Sequence, residues 1–359
     1  MKTMHPPNTK IEKRKVRNAI IEKAIDSTDL IQTQDDKTAQ LIWWDGFIPK
    51  EQFLNVLPHQ RINKIPGMDV LCYKSSTFKV FNQMRQLYPK IFTFFPMTYL
   101  LPFQFSDFQK EHIRLAAGSK KPITWIFKPR AGCSGNGIKI IQNSFEVSDS
   151  SYSGVVQKYV SPYLVDGYKF DFRLYIFIPT VEPFTVYIYK EGLARFCTTK
   201  YQPPTKANLS DKFAHLTNTA VNVENQESSV NILQYASEVI NKIVKTNPKA
   251  ASLWGKIKYV VMLAMVAQYP QIIERINLQK NDWNIHQKDP EIENGIYGKP
   301  ISFEHRFFHI LGIDIMLNEK CDPIVLEMND RPSMHISYPI EEELKTNLNL
   351  EALNMVTID

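Results

Sequence analysis

The segment from Phe303 to Ser333 constrains this chain most. It reads as a helix, a strand carrying Asp314, a turn, and a second strand carrying Glu327 and Asn329. Ile310–Leu317 is apolar except for Asp314, and Ile324–Asn329 places Glu327 and Asn329 two apart, on one face of a strand. A carboxylate inside an apolar strand is costly unless it is paired or bound to a metal. Here three oxygen donors converge on one side of a short hairpin. Magnesium takes such oxygens and completes its shell with water and phosphate. The plainer alternative is a pair of solvated acids at strand ends.

With 359 residues, 43% hydrophobic and 22% charged, the chain has material for two or three lobes. That balance excludes disordered, collagen-like and disulfide-built classes. Cys72, Cys133, Cys197 and Cys321 are scattered without a CxxC pair, which fits a reducing compartment and not a zinc site. Met1–Pro7 has no apolar signal core, and the longest apolar run, Val260–Ala267, is too short to span a bilayer. The expectation is a soluble cytoplasmic protein with no membrane partner. A net charge of +6 permits nucleic acid, anionic lipid or an acidic protein as partner and does not choose among them. The densest basic run, Lys10–Arg17, reads as a solvated helix end or a binding patch.

Periodicity predicts helices over 13–25, 77–88, 107–117 (stopped by Gly118), 230–246, 253–273 and 340–355. Strands are expected at 41–44, 123–128, 138–141, 155–160, 170–178 and 184–189, with prolines between elements and a polar loop over 279–300.

Lys128-Pro-Arg-Ala-Gly-Cys-Ser-Gly-Asn-Gly-Ile138 joins two of these strands. It is neither a P-loop nor a dinucleotide fingerprint, since no Gly-Lys-Ser/Thr follows and the next element is a strand. Gly132, Gly135 and Gly137 would let backbone N–H groups approach phosphate oxygens, with Lys128 on the preceding strand. An ordinary hairpin turn is the competing reading. The strand Val155–Val160 shows Gln157 and Tyr159 on one side, and as a sheet edge it could offer backbone groups to an adenine ring. In Asp166–Tyr175, Lys169, Asp171 and Arg173 share a strand face. They are either a surface ion pair or cations aimed at a transferring phosphoryl group. Arg195 lies among apolar residues and needs a carboxylate or phosphate partner. In Phe213–Asn218, His215 reads as structural, and Asn218 becomes a phosphate or metal contact only if the chain folds back.

The order of these segments resembles the tubulin tyrosine ligase-like family, whose catalytic fold is the ATP-grasp. The resemblance covers about residues 40–355. It runs through Lys128-Pro with its glycine loop, Gln-Lys-Tyr-Val at 157–160, Asp-Gly-Tyr-Lys-Phe-Asp-Phe-Arg at 166–173, Gly-Leu-Ala-Arg-Phe at 192–196, His-Leu-Thr-Asn at 215–218, and Leu-Gly-Ile-Asp…Leu-Glu-Met-Asn-Asp-Arg-Pro-Ser ending at Ser333. Arg61–Met68, Leu87–Lys90 and Phe94–Thr98 resemble the family's N-terminal domain. The resemblance implies an α+β fold: a polar segment (1–37), an N-terminal α/β domain (38–95), and central (96–165) and C-terminal (166–359) ATP-grasp domains.

By the same resemblance the cofactors are ATP and two Mg2+ ions. Lys128 would hold the α/β-phosphates beside the glycine loop and Ile138. Gln157, Lys158, Tyr159 and Val160 would hold adenine. Lys169, Asp171, Arg173, Thr217 and Asn218 would surround the phosphates, with Arg173, Arg195 and Lys169 in catalytic roles. Asp314, Glu327 and Asn329 would hold the metals. The glycine-loop and Gly-Leu-Ala-Arg-Phe segments look most like the glutamate-adding branch, so the implied reaction joins free glutamate to acidic tubulin tails. The implied setting is a monomeric enzyme on the cytoskeleton, in the cytoplasm or a cilium, with no nucleic acid. Ser134 and Asn136 depart from the branch's usual Gln and Arg, and Asp330 and Arg331 from its usual His and Ser. These departures leave open glycine or tyrosine as donor, another acidic acceptor, or an inactive acidic-tail binder.

Overall fold

The computed structural model describes residues 5–130, 135–286 and 298–356. Its mixed α/β architecture rests on three sheets. The first is all parallel, in the order β2 (Ile31–Thr33), β1 (Lys10–Arg14), β3 (Leu41–Trp44), β4 (Arg61–Ile62). The second is antiparallel: β5 (Thr98–Leu101), β8 (Gly154–Lys158), β6 (Trp125–Pro129), β7 (Lys139–Ile141). The third is also antiparallel: β12 (Leu233–Tyr235), β11 (Thr185–Phe196), β10 (Tyr168–Thr180), β13 (His309–Leu317), β14 (Pro323–Asn329), with the short β9 (Leu164–Val165) against β10.

Alternation along the strands explains how the layers stack. On the third sheet Phe170, Phe172, Leu174 and Ile176 of β10, Phe196 of β11, and Ile313 and Ile315 of β13 face a shared core. The helices Lys74–Leu87, Ala236–Thr246 and Leu253–His286 supply the other side of that core. The second sheet packs Trp125, Phe127 and Val156 against Phe108 of the helix Phe105–Ala117 in a separate core. The C-terminal helix Pro339–Met355 returns to the first sheet, where Leu344, Leu348 and Leu353 join Ile11, Leu41 and Trp43.

Three expectations need correction. Residues 10–14, expected near or in a helix over 13–25, form β1, and the helix begins only at Ala19, capped by the Asn18 side chain. Residues 233–235 are a strand and not the start of a helix. The helix from Leu253 continues to His286 through Pro270, so the part of the expected polar loop over 279–286 is helical. The glycine-loop residues 131–134, which include Gly132, lie outside the described residues, as do 287–297. Among the described residues no helix is long and apolar enough to cross a membrane.

Candidate active site

Strand register builds the site's floor. In the third sheet Arg173 of β10 stands directly opposite Asp314 of β13, and Asp171 stands directly opposite Arg195 of β11. Cross-strand partners point to the same side, so all four charges share the face away from the core. Arg173 grips Asp314 with two bonds, through Nε and through Nη2 at 3.0 Å. Arg195 grips Asp171 with two bonds of 2.7 Å and reaches diagonally to Asp314 Oδ2 at 2.8 Å. Thr217 Oγ1 donates to Asp171 at 2.7 Å. The result is a buried chain of alternating charge, Asp171–Arg195–Asp314–Arg173, in the bidentate geometry that guanidinium and carboxylate favour.

On β14, Glu327 is the partner of Asp314, and Asn329 is the partner of Gly312. The register slips by one residue between Asp314 and Ile315, leaving Leu326 without a partner. This bulge turns Glu327 toward the charged face while Val325, two residues earlier, stays in the core.

The second sheet forms the facing wall. Ile126, Lys128 and Gln157 lie on the face opposite its core, and with Tyr159, Val160, Lys169, His215, Thr217, Asn218 and Glu327 they line a pocket of about 90 Å³. Lys128 is buried, and its Nζ approaches the bulge carbonyl of Leu326 at 3.4 Å. Next to this pocket opens a cleft of about 520 Å³. The cleft is bordered by Arg173, Arg195, Asn329, Asn136, Arg331, His335 and Lys345.

Burial sets the charge states. It would raise the Asp314 carboxyl, but Arg173 and Arg195 outweigh it and hold that group well below the usual carboxylate range. Burial likewise opposes charge on Arg195, and Asp171 and Asp314 reverse the effect. Lys128 has no such pair. Desolvation pushes it down to about 8, against the pull of Glu327. Lys169 is also lowered by burial; its Nζ donates to the His215 carbonyl at 2.7 Å and to the Tyr159 hydroxyl at 3.2 Å. His215, pushed to about 4 by burial and by Lys169, holds Tyr159 Oη at 3.0 Å from its Nδ1.

Nearly all the residues singled out in the sequence therefore converge on one cleft. Asn218 does fold back: a Cβ on Gly135 would fall 3.2 Å from its Oδ1, and Gly135 and Gly137 adopt φ of +87° and +71°, which favour glycine. One expectation fails. The strand at 155–160 is no sheet edge, because β8 is paired on both sides up to Lys158, and the Gln157 amide donates to Thr98. The chain just beyond the strand, Tyr159 and Val160, continues the pocket lining begun by Gln157 and Lys158. Sequence reasoning also overlooked His309 and the Leu326 bulge. Neither carries a local signal, because both depend on what the third sheet places beside them.

Asp314, Glu327 and Asn329 offer oxygens on one hairpin, the donor chemistry of a hard cation; both Asp314 oxygens already accept from Arg173 and Arg195, so Glu327 and Asn329 are the more open of the three. The side-chain amide nitrogen of Asn329 is buried without a hydrogen-bond partner among the described residues; as a donor it suits a phosphate or carboxylate oxygen, and only the amide oxygen could face a cation. Among the described residues no group of three or more His, Cys, Asp or Glu side chains forms a metal site. A magnesium ion at this hairpin would draw on these protein oxygens and keep water and phosphate in its other positions.

The model of the tubulin-tyrosine ligase family matches residues 52–359. The chain is similar to tubulin polyglutamylase TTLL7 of Mus musculus, at 29% identity over 347 residues, covering 94% of this chain and 36% of that protein. Tubulin polyglutamylase TTLL13 of Homo sapiens is 31% identical over 343 residues, covering 94% and 39%. A probable beta-tubulin polyglutamylase of Tetrahymena thermophila is 31% identical over 326 residues, covering 88% and 25%. The chain thus spans less than two fifths of the length of these curated relatives.

Proposed function

The chain belongs to the tubulin-tyrosine ligase family, and from that membership we propose that it is an ATP- and magnesium-dependent ligase that adds glutamate to glutamate side chains of tubulin C-terminal tails. The second and third sheets are then the two jaws of an ATP-grasp, divided near residues 96 and 166, with the first sheet as the N-terminal domain. The observation that carries the reading is the convergence of Lys128 from one sheet with the Asp171–Arg195–Asp314–Arg173 chain and Glu327 from the other.

Ligation needs this set of groups. A carboxylate is a poor electrophile. Its oxygen attacks the γ-phosphorus of ATP, ADP leaves, and an acyl phosphate results. The glutamate amine then attacks the acyl carbon, loses a proton, and phosphate departs. Both steps build negative charge on oxygens, and fixed cations stabilise it without reorganising. Lys128 and Lys169 would meet the nucleotide phosphates, Arg173 the transferring phosphoryl group, and Arg195 the donor's carboxylate or the tetrahedral oxygen. Gln157, Lys158, Tyr159 and Val160 would hold the base, and Thr217 and Asn218 would stand at the phosphates. Magnesium held by Asp314, Glu327 and Asn329 would neutralise the phosphates and polarise the phosphorus.

A second reading keeps the chemistry and changes the donor to glycine or tyrosine, or the acceptor to another acidic protein. Arg331 favours it, since this cation borders the cleft next to Asn329 and pairs with Asp330 at 2.8 Å. ADP release separates the readings. The first predicts turnover that needs tubulin and glutamate together and that glycine or tyrosine does not support. Turnover with another donor or another acidic acceptor moves the assignment to the second reading, and none with any donor on tubulin or on other acidic proteins defeats both.

A further inference from the structure

We propose that His309 is a positioning residue: one imidazole ties the N-terminal sheet to the main chain just beyond Asn329 and so fixes where that metal-side amide stands. The inference rests on the ligase reading above.

His309 opens β13 and is 2% exposed. Its Nδ1 receives the main-chain N–H of Ile65 at 3.0 Å, and its Nε2 lies 2.7 Å from the main-chain carbonyl oxygen of Asp330. An N–H can only donate and a carbonyl can only accept. Nδ1 is therefore unprotonated and Nε2 carries the proton, so two backbone contacts impose a single neutral tautomer. Burial, with Lys64 and Arg331 nearby, keeps the ring neutral, down to about 3.

Both ends of this bridge are anchored. Ile65 follows β4, and β4 is tied to the chain entering β13 by an isolated bridge between Ile62 and Phe307 and by the Phe308 N–H donating to the Ile62 carbonyl at 3.0 Å. At the other end, the ladder between β13 and β14 finishes at Gly312–Asn329, so the carbonyl of Asp330 is the first main-chain carbonyl past it. The wall that follows leans on β13: a Cβ on Gly312 would meet Pro332 at 3.2 Å. The His309 bond thus sets the exit angle of the chain between a ligand-bearing strand and the cleft wall carrying Arg331 and Ser333. Outer groups that orient a ligand are worth about 10–100-fold in metal affinity when removed.

Two near-isosteric changes separate the halves of the bridge. In His309→Asn the amide oxygen replaces Nδ1 and keeps the bond from Ile65, but the donor to Asp330 is lost. In His309→Gln the amide nitrogen replaces Nε2 and keeps the bond to Asp330, but the acceptor for Ile65 is lost. Manganese binding in the presence of ATP, followed by electron paramagnetic resonance on the full chain, is expected to weaken about 10-fold or more in His309→Asn and to stay within about 3-fold of wild type in His309→Gln. ATP affinity without metal should be unchanged in both. Equal losses in the two variants, or no loss in either, overturn the inference. Nitrogen-15 NMR of the wild type tests it without any variant: a proton fixed on Nε2 is expected, and one on Nδ1 or exchanging between the two overturns it. A wild type that binds no manganese with ATP overturns the ligase reading and this inference with it.

Discussion

Asp314 lies between two guanidinium groups, and each of its oxygens is committed to at least one of them. Removing one member of a buried charge chain leaves an uncompensated charge, at about 3–5 kcal/mol. Asp171→Ala, which strips Arg195 of its bidentate partner and Thr217 of its acceptor, is expected to lose stability on that scale in a denaturant titration. Glu327→Gln should leave the melting temperature within a few degrees of wild type while abolishing ligation, because Glu327 is only half-buried and stands outside the chain of charges from Asp171 to Arg173. A melting temperature that falls as far in Glu327→Gln as in Asp171→Ala contradicts this division. Lys128 adds a pH signature. With its amine at about 8, the free protein loses the charge as pH rises through 8, so ATP affinity measured by calorimetry should fall between pH 7 and 9. The charged residues themselves were legible in the sequence, since period-two alternation puts Lys169, Asp171 and Arg173 on one face. Their partners were not, because Arg173 meets a residue 141 positions away and only sheet register decides which one.

Among the elements, the hairpin that carries Asp314, Glu327 and Asn329 is regular except at Leu326. Strict alternation would keep Val325 on the same face as Glu327. The bulge releases Val325 into the core and leaves the Leu326 carbonyl facing Lys128. A bulge has no period and is not read from sequence. The helix Leu253–His286 was cut short for a related reason: its last turns are polar, yet Ile276 and Trp283 face inward at helical spacing, and the Trp283 indole donates to the Val56 carbonyl. β1 was missed because Ile11 is its only fully buried residue amid charges. The close pairing of β10 with β11 gives a prediction at this scale. A Cβ on Gly192 would fall 2.6 Å from the Arg173 carbonyl oxygen and 2.6 Å from Leu174. Gly192→Ala should therefore push the two strands apart beside Arg173, costing about 1–3 kcal/mol. Ligation should fall with it, and an unchanged melting midpoint with full activity would contradict the register described here.

Across the whole molecule, acid should act through buried imidazoles. Burial first, then Lys64, holds His309 at about 3, against an ordinary value of 6.5; burial and Lys169 hold His215 at about 4. The unfolded chain takes up these protons near pH 6.5 and the folded chain does not. Between pH 6.5 and 4 the unfolded state therefore binds more protons, and stability is lost as pH falls, by up to about 1.4 kcal/mol per unit for His309. Thermal midpoints that hold steady from pH 6.5 to 4.5 would contradict this. The net charge of +6 suits an acidic tail, so encounter with tubulin should slow as salt rises.

The most direct test of the central claim is mass spectrometry of tubulin tails after incubation with ATP, magnesium and a mixture of the twenty amino acids, with Glu327→Gln alongside. The account predicts glutamate-sized increments on the tails with the wild type and none with the variant. Unmodified tails in both, or increments that persist in Glu327→Gln, would contradict it.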